Sequence, residues 1–286
     1  MVRQRGVALL VVMWALTLLS IMLGGYALMA RTEGLQARYQ FAQTQAHYAA
    51  EAGVMRAIYG LQDNQPQTHW ISDGRIYAFP YDGAKVQVSM VDEAGKVDLN
   101  AASPDVLLGL LRAVGVDDTQ GRDIVQHIVD WRSFGTGPGD AAQRAQPYQA
   151  AGRDYGPRGG PFASVEEVQM VLGMTPAIYA KISGVLTIWS GRNSPDPATA
   201  PPLALAAIPN MDQQQIANIL ASRQSGQPQN GVQGLGGFQG VTHSIRSEAI
   251  LADGTHAVLN ATVRLQGVRF GAQPYAVLRW KEGDGQ

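Results

Sequence analysis

Residues 7–30 read VALLVVMWALTLLSIMLGGYALMA, 24 residues without a charged side chain near the start of the 286-residue chain. As an α-helix with a rise of about 1.5 Å per residue, this stretch is about 36 Å long, more than the hydrocarbon core of a bilayer at about 30 Å. The six residues before it, MVRQRG, contain two arginines and no acid. Because short basic segments stay in the cytoplasm, we predict a transmembrane helix with a cytoplasmic N-terminus and a chain that continues across the membrane.

Two other interpretations of this stretch are open. A cleaved secretory signal has an apolar region of about 7–15 residues and ends in a small-x-small site, whereas this longer run ends in Leu28, Met29 and Ala30. A buried helix of a soluble protein is disfavoured because the run is apolar on every face. The membrane helix is therefore the prediction that we carry forward.

The helical pattern continues beyond the apolar stretch and becomes amphipathic. Between residues 31 and 61, apolar and small side chains recur near the helical spacing among Gln, Arg and Glu. This half is rich in Ala and Gly, which lets neighbouring elements approach closely. The sequence predicts one long helix, with residues 7–30 in the membrane and residues 31–61 packed on a small sheet or on copies of such a helix.

Alternating apolar and polar residues predict strands in two separate parts of the chain. In residues 62–99, strands flank a turn at 81–83, and a second turn at 92–95 leads to a third strand of a β-meander. Residues 244–286 alternate again, with turns at 253–254 and 267. Before them lies a Gly- and Gln-rich loop, residues 224–243, which is either a plain connector or a segment that orders on a partner.

Residues 100–223 carry four helix-start signals and predict a separate, inserted all-α unit. Ser103 and Thr175 each precede a proline, Ser164 begins a capping box, and Asp212 precedes a run with helical periodicity. The predicted fold class is therefore α+β. A long N-terminal helix packs on a small antiparallel sheet, and a large helical insertion interrupts that sheet.

Composition excludes several classes of function. The chain has 22 Lys and Arg against 23 Asp and Glu, a formal charge of −1, and no cysteine. The absence of cysteine removes disulfides, thiolate metal sites and thiol nucleophiles. The five histidines are scattered without a pair at metal-ligand spacing, and the sequence lacks a Gly-x-Ser-x-Gly elbow. We therefore expect that the protein is not an enzyme.

The start of the chain resembles the type IV pilins and the pseudopilins of type II secretion. The features that carry the resemblance are a short basic leader ending in Gly6, an apolar stretch that begins at once with Val7, and a long helix with YAAEAG at 48–53. The resemblance implies that a prepilin peptidase removes the leader, residues 1–6. It also implies that the enzyme methylates the new terminal amine of Val7.

One position departs from the usual pattern of these families and is itself informative. Most members carry a Glu at the fifth mature residue, which here is Val11. A carboxylate in lipid is costly unless it is paired, and the resemblance assigns it a partner in the terminal amine of the subunit ahead. A subunit with nothing ahead of it has no such partner. The absence of an acid at Val11 therefore resembles the K family of pseudopilins, whose members are placed at the tip of the filament. A divergent major pilin is the alternative.

Five further stretches extend the resemblance to the K pseudopilins over nearly the whole chain. They are GKVDLNAA (95–102), IVDW (128–131), GPFASVEE (160–167), GMTP (173–176) and LTIWS (186–190). The resemblance implies a minor pseudopilin of the bacterial inner membrane, single-pass, with a cytoplasmic N-terminus and its bulk in the periplasm. It also implies a place at the tip of the periplasmic pseudopilus, where the subunit helps to initiate assembly and limits length during protein export across the outer membrane.

The same resemblance implies the partners of the chain. They are the other minor pseudopilins and the major pseudopilin, the prepilin peptidase, the inner-membrane assembly platform and, as a further class, secreted substrates. We expect the long helix to contact the other pseudopilins and the inserted unit to contact substrate.

Calcium is the cofactor that the resemblance raises, because K pseudopilins are associated with it through an acid-rich loop after the Asp-Trp pair. Calcium takes 6–8 oxygen ligands, several of them carboxylates. The corresponding loop, residues 132–160, retains only Asp140 and Asp154, with Asp130 at its edge. A site on Asp130 and Asp140 completed by carbonyls is one interpretation, and ordinary capping and loop aspartates are the other, so no cofactor is certain.

The insertion also resembles SAM-like and helix-hairpin-helix domains, which makes a membrane-anchored DNA-binding or DNA-uptake protein the alternative function. Such domains hold phosphate with backbone N–H groups in a Gly-apolar-Gly turn. None of the three candidate turns, at 115–117, 173–175 and 209–211, keeps both glycines, and residues 98–223 contain 9 basic against 12 acidic side chains. Because phosphate binding needs an excess of positive charge, we expect no nucleic-acid partner.

Overall fold

The computed structural model describes residues 5–63, 65, 67–135, 137, 139–224, 239–266 and 273–283. Its first element, α1 (Arg5–Gln62), is one α-helix of 58 residues, about 87 Å long at the usual rise. Side chains 8–41 are exposed around the whole helix. Beyond them one face is buried, formed by Ala46, Ala49, Ala50, Val54, Ala57 and Ile58. The prediction of a single long helix with a packed second half is confirmed.

In the described part of the chain, five strands form an antiparallel sheet beside α1. Their order across the sheet is β1 (Asp73–Tyr81), β2 (Ala84–Asp92), β5 (Gln239–Leu251), β6 (His256–Gln266) and β7 (Tyr275–Glu282). Strands β2 and β5 are neighbours although about 150 residues of chain separate them. One face of the sheet packs on α1 around a core that includes Val54, Met90 and Leu259. We call α1 and this sheet the helix–sheet domain.

Glycine allows α1 to approach the sheet closely. A Cβ at Gly53 would overlap the Ser247 hydroxyl and lie 2.8 Å from Cγ1 of Val86. A Cβ at Gly60 would lie 2.5 Å from Cγ of Trp70, well inside van der Waals contact. Only a glycine fits at either position without displacing the sheet or the indole.

Between β2 and β5 lies the inserted unit, residues 97–224, with a hydrophobic core separate from that of the helix–sheet domain. Its helices are α2 (Pro104–Ala113), α3 (Asp118–Arg132), α4 (Asp140–Ala150), α5 (Pro176–Ile182), α6 (Pro202–Ala206) and α7 (Gln213–Gln224). Short 3₁₀ turns lie at Glu166–Met170 and Ser183–Val185. The predicted α+β fold with a largely helical insertion is confirmed.

Three of the four predicted helix starts are confirmed by their capping hydrogen bonds. The Ser103 hydroxyl accepts from Val106 N at 3.3 Å, and the Thr175 hydroxyl accepts from Ile178 N at 3.2 Å. Asp212 accepts from Gln215 N at 2.7 Å. The Gln215 side chain accepts in return from Asp212 N at 3.0 Å, which completes a capping box.

The capping box predicted at Ser164 is wrong. Residues 166–170 form a 3₁₀ turn that follows Val165 and has no side-chain cap. The Glu167 carboxylate accepts instead from the Trp131 indole at 2.9 Å and from Ala163 N at 2.7 Å. The Glu167 side chain, which the local pattern assigned to a helix cap, therefore makes a contact across the core instead.

The predicted β-meander is wrong at its third strand. Residues 93–95 form a 3₁₀ turn, and β3 (Val97–Asp98) pairs in parallel with β4 (Leu186–Thr187) instead of with β2. Val97 and Leu99 lie in the core of the inserted unit. The inserted unit therefore begins near residue 97 rather than 100, and it is not all-α. Local alternation indicated a strand here but could not identify a partner almost 90 residues away.

The boundaries of the Gly- and Gln-rich loop also differ from the prediction of 224–243. Helix α7 extends to Gln224 and β5 begins at Gln239, so the last five residues of the predicted loop are strand. Residues 225–238 lie outside the described part of the chain.

The inserted unit lies at the end of the sheet that is remote from the exposed half of α1. At the near end, the Gln45 side chain donates to the carbonyl of Asp82 in the β1–β2 turn at 2.8 Å. At the far end, the Gln62 side chain donates to the carbonyl of Pro274 at 3.0 Å. Strand β2 runs from the near end to the far end, and its last residue, Asp92, leads directly into the insertion.

Candidate functional site

The exposed half of α1 is the first candidate surface. Among the described residues, α1 is the one helix long and apolar enough to cross a membrane, with a mean hydropathy of 2.2 over its most apolar window. The predicted cleavage bond, between Gly6 and Val7, lies in the first turns of this helix. Residues 1–4 of the predicted leader lie outside the described part of the chain.

Val11 lies on this exposed half, with 62% of its surface accessible. No acidic residue precedes Glu33 in the sequence, so a carboxylate is absent from the stretch of helix long enough to span the hydrocarbon. Farther along, the exposed side chains of Leu35, Tyr39, Phe41 and Tyr48 extend the apolar surface to the start of the sheet. The uncharged part of this surface, residues 8–30, can pack against lipid or against other apolar helices without burying an unpaired charge.

The junction between the two units is the second candidate surface. Glu93 is 2% exposed, and one of its carboxylate oxygens accepts from both the Lys96 ammonium and the Ser244 hydroxyl at 2.6 Å. Asp196 N donates to the carbonyl of Ala94 at 2.8 Å. The turn that leads into the inserted unit is therefore anchored on β5 by a buried, hydrogen-bonded carboxylate.

Two titratable groups with opposite pKa shifts face each other at this junction, because Asp92 and His243 are register partners in β2 and β5. Burial raises the pKa of Asp92 to about 6, with the nearby Asp196 and Glu93 carboxylates adding to the rise. Burial lowers the pKa of His243 to about 4. Both groups are therefore neutral at mildly acidic pH, as expected where water is excluded.

The residues that carried the family resemblance come together inside the inserted unit. The Asp98 carboxylate accepts from Gly191 N at 2.7 Å and from the Ser190 hydroxyl at 3.1 Å, joining the first stretch to the last. The Asn100 side chain accepts from Phe162 N at 2.7 Å and donates to the Phe162 carbonyl at 3.1 Å. These residues hold the core together, which is a structural role rather than a chemical one.

The three hairpin turns do not present free backbone donors at the helix starts. The Asp117 carboxylate accepts from Thr119 N at 2.9 Å and from Gln120 N at 3.2 Å, where a phosphate would need those donors. Thr175 and Asp212 cap the helices of the other two turns in the same way. Side-chain caps that already accept from these donors, two of them carboxylates, together with the net negative charge, disfavour phosphate binding.

The structure places Asp130 in the last turn of α3 and Asp140 at the start of α4, on either side of the connecting loop, and gives both carboxylates protein partners. Asp130 accepts from the Gln126 side chain at 2.9 Å, and Asp140 accepts from Gly137 N at 3.0 Å. The cation between the two segments is the Arg144 guanidinium, which donates to the carbonyl of Asp130 at 2.9 Å. In the described part of the chain, no three His, Asp or Glu side chains are grouped to hold a metal. This donor set does not fit calcium.

Comparisons with known proteins support the same family as the sequence patterns. Residues 86–191 match the family model described as Type II secretion system (T2SS), protein K. The fold is similar to a chain of the crystal structure of the GspK–GspI–GspJ complex from the type 2 secretion system of enterotoxigenic Escherichia coli. The TM-score is 0.53 at 14% identity, covering 89% of this chain and 100% of the other. No curated protein matches in sequence. Over residues 86–191 the chain is therefore similar to the type II secretion system protein K family, and its fold is similar to that of a chain from a complex of such a system.

Proposed function

We propose that the chain is the tip subunit of a periplasmic pseudopilus. Prepilin peptidase cuts after Gly6, and the mature protein begins with the methylated amine of Val7. Residues 7–30 anchor it in the inner membrane with the N-terminus in the cytoplasm and the rest in the periplasm. At the tip it helps to initiate assembly and limits filament length, acting through contacts rather than catalysis.

The observation that carries this proposal is the position of the inserted unit at the far end of the sheet. Pseudopilin helices stack along a filament, so a subunit added ahead would have to lie over that end. The inserted unit, of more than a hundred residues, occupies this space. A subunit that cannot be covered ends growth in that direction.

The absence of an acid at Val11 supports the same position. A carboxylate in the apolar part of a membrane helix is costly unless it is paired. A tip subunit has no subunit ahead to supply a pairing amine. An apolar side chain avoids this cost, whereas a subunit within the shaft would gain from the acid.

The neighbours that we propose are two other minor pseudopilins, because the similar structure contains GspI and GspJ beside GspK. The exposed apolar face of α1 is the surface we assign to them, and the major pseudopilin follows below. The assembly platform of the inner membrane and the prepilin peptidase are the further partners. Exported substrates would meet the inserted unit, the part of the chain farthest from the membrane.

Mass spectrometry of the membrane-extracted protein tests the processing step. The expected mature chain begins at Val7 with one added methyl group. The Gly6→Ala variant should keep its leader and fail to support secretion. The matched control is Gly24→Ala in the same helix, where an added Cβ meets no atom within 4 Å. Normal processing and secretion by the Gly6→Ala variant would count against the proposal.

Shortening the chain tests the growth stop. Replacing residues 97–238 by a short Gly-Ser linker rejoins β2 to β5 and removes the inserted unit. The shortened subunit should then be found along the shaft of longer pseudopili. If it is still confined to the tip, the inserted unit is not what stops growth.

A further inference from the structure

The family resemblance implies a metal ion near the loop between α3 and α4. In the structure, the side chain of Arg144 on α4 places a positive charge against this loop. We propose that the guanidinium of Arg144 occupies the cation position of this loop, so that the inserted unit is ordered without calcium. The proposal concerns the stability of the subunit and does not depend on its place in a filament.

Three backbone carbonyls converge on Arg144. Its guanidinium donates to the carbonyls of Ser133 at 2.6 Å and Asp130 at 2.9 Å, and more distantly to that of Asp140 at 3.4 Å. A cluster of backbone oxygens around one positive group is what a hard cation would require. Here the N–H groups of the planar guanidinium donate hydrogen bonds to those oxygens instead.

The end of α3 makes this position favourable for a positive charge. The carbonyls of Asp130 and Ser133 lie at the C-terminus of that helix, where the last carbonyls have no partner in the helix and the helix dipole is negative. The guanidinium therefore satisfies orphan acceptors and interacts with the dipole at the same time. A divalent ion bound to the same oxygens would be repelled by the arginine.

The surrounding backbone is shaped around the guanidinium. A Cβ at Gly135 would lie 2.9 Å from an Nη atom of Arg144, and a Cβ at Gly159, in the segment after α4, would lie 3.9 Å from the same atom. The loop before α4 and the segment after it therefore both lie close to the guanidinium, whose donors face carbonyl oxygens.

Arg144 also connects this loop to the core of the inserted unit. Tyr148 lies one turn later on α4, is fully buried, and accepts from Leu172 N through its hydroxyl at 3.2 Å. Its ring packs 6.1 Å from that of Trp131. The contacts of Arg144 with the end of α3 therefore fix the face of α4 that completes the aromatic core.

Thermal unfolding of the full chain in detergent micelles tests the calcium requirement directly. With calcium added at millimolar concentration, or with a chelator, the Tm of the wild-type protein should change by less than about 1 °C. Binding at a hundred times Kd would raise the Tm by about 5 °C or more. A rise of that size would overturn the proposal.

Variants at Arg144 test the role of the guanidinium. Arg144→Met should lower the Tm by about 5 °C, because several charge-assisted hydrogen bonds are lost. Arg122→Met, at an exposed position on α3, is the matched control and should change the Tm by less than about 1 °C. Equal Tm values for the two variants would overturn the proposal.

Terbium luminescence keeps the test independent of whether a variant folds. Tb³⁺ replaces calcium at oxygen sites and is excited through nearby aromatic rings, here Trp131. The wild-type protein should give no luminescence that millimolar calcium displaces. Calcium-displaced luminescence from the wild type that is lost in the Asp130→Asn variant would overturn the proposal.

Discussion

The helix–sheet domain and the inserted unit each have an apolar core, but they differ in what fixes the positions of their elements. In the first, small residues on α1 let the helix approach the sheet, and the buried surface is formed mainly by Ala, Val, Leu and Ile. In the second, short helices and loops are joined by side chains that bond backbone groups, such as Asp98, Asn100 and Arg132. A long helix on a sheet is stable through close packing, whereas short elements need polar contacts to fix their positions.

The largest expected effect is the loss of the polar centre of the inserted unit. Asp98 is 1% exposed and accepts from Asn100 N, Gly191 N and the Ser190 hydroxyl. Asp98→Ala removes the buried carboxylate that these three donors share, and each hydrogen bond to a charged group contributes about 1.5–3 kcal/mol, so we expect a loss of about 4 kcal/mol. Limited proteolysis should then cut the inserted unit while the helix–sheet domain stays intact. Cleavage of both parts at the same rate would contradict the separation of the two cores.

The junction between the two regions should give opposite pH responses in two variants. Because the pKa of Asp92 is raised in the folded state, its contribution to stability falls as the pH rises from about 4 to 6. Because the pKa of His243 is lowered, its contribution rises from about pH 4 to 6.5. In the wild type the two effects offset each other.

Single substitutions measure the pH-dependent contribution of each group to stability separately. Between pH 4 and pH 6.5, the free energy of unfolding of Asp92→Asn should rise by about 2–3 kcal/mol more than that of the wild type. That of His243→Gln should fall by a similar amount relative to the wild type over the same range. Urea unfolding at several pH values measures both. Parallel pH profiles for the two variants would show that the groups do not have opposite shifts.

Packing in the helix–sheet domain should be sensitive to one methyl group. Gly53→Ala places a Cβ against Ser247 and Val86, and overpacking of this kind costs about 1–2 kcal/mol after the gain in helix propensity. Gly34→Ala, in the same helix with no atom within 4 Å, should be neutral or slightly stabilising. Thermal melts compare the two. Equal stability would show that α1 is not closely packed on the sheet.

The smallest effect is expected at the exposed contact between the two regions. Arg279 on β7 pairs with Glu166 at 3.2 Å, and both side chains are nearly half exposed. Exposed ion pairs contribute about 0–1 kcal/mol, so Arg279→Met should change the free energy of unfolding by less than about 0.5 kcal/mol. A loss comparable to that of Asp98→Ala would mean that this pair, and not the buried Glu93, joins the units.

The sequence allowed the predictions that depend on local patterns. The long helix, the strand pairs around their turns and the caps at Ser103, Thr175 and Asp212 follow from periodicity and from the chemistry of helix ends. Contacts between distant parts of the chain were not predictable in the same way. The pairing of β3 with β4 and the use of Glu167 across the core are examples, because competing local signals pointed to a meander and a cap.

The candidate sites also differ in how far the sequence could predict them. Gly6, Val7 and Val11 were identified through the resemblance of the start of the chain to pilins and pseudopilins, and their roles in processing and assembly stay predictions. Asp130 and Asp140 were identified as acids at the edge of and within the loop that the resemblance associates with calcium, but no sequence pattern indicated that Arg144, fourteen residues after the first, would lie between the two segments. A single arginine in a polar helix has no pattern that distinguishes a buried contact from a solvated one.

The position of the subunit in isolated pseudopili tests the central claim most directly. A gold label on a tag at residue 283, placed in the otherwise intact chain, can be located by electron microscopy on filaments that also contain the major pseudopilin. One label at a single end of each filament is the predicted result. Labels spaced along the shaft, with other subunits on both sides, would contradict the claim that the inserted unit ends the filament.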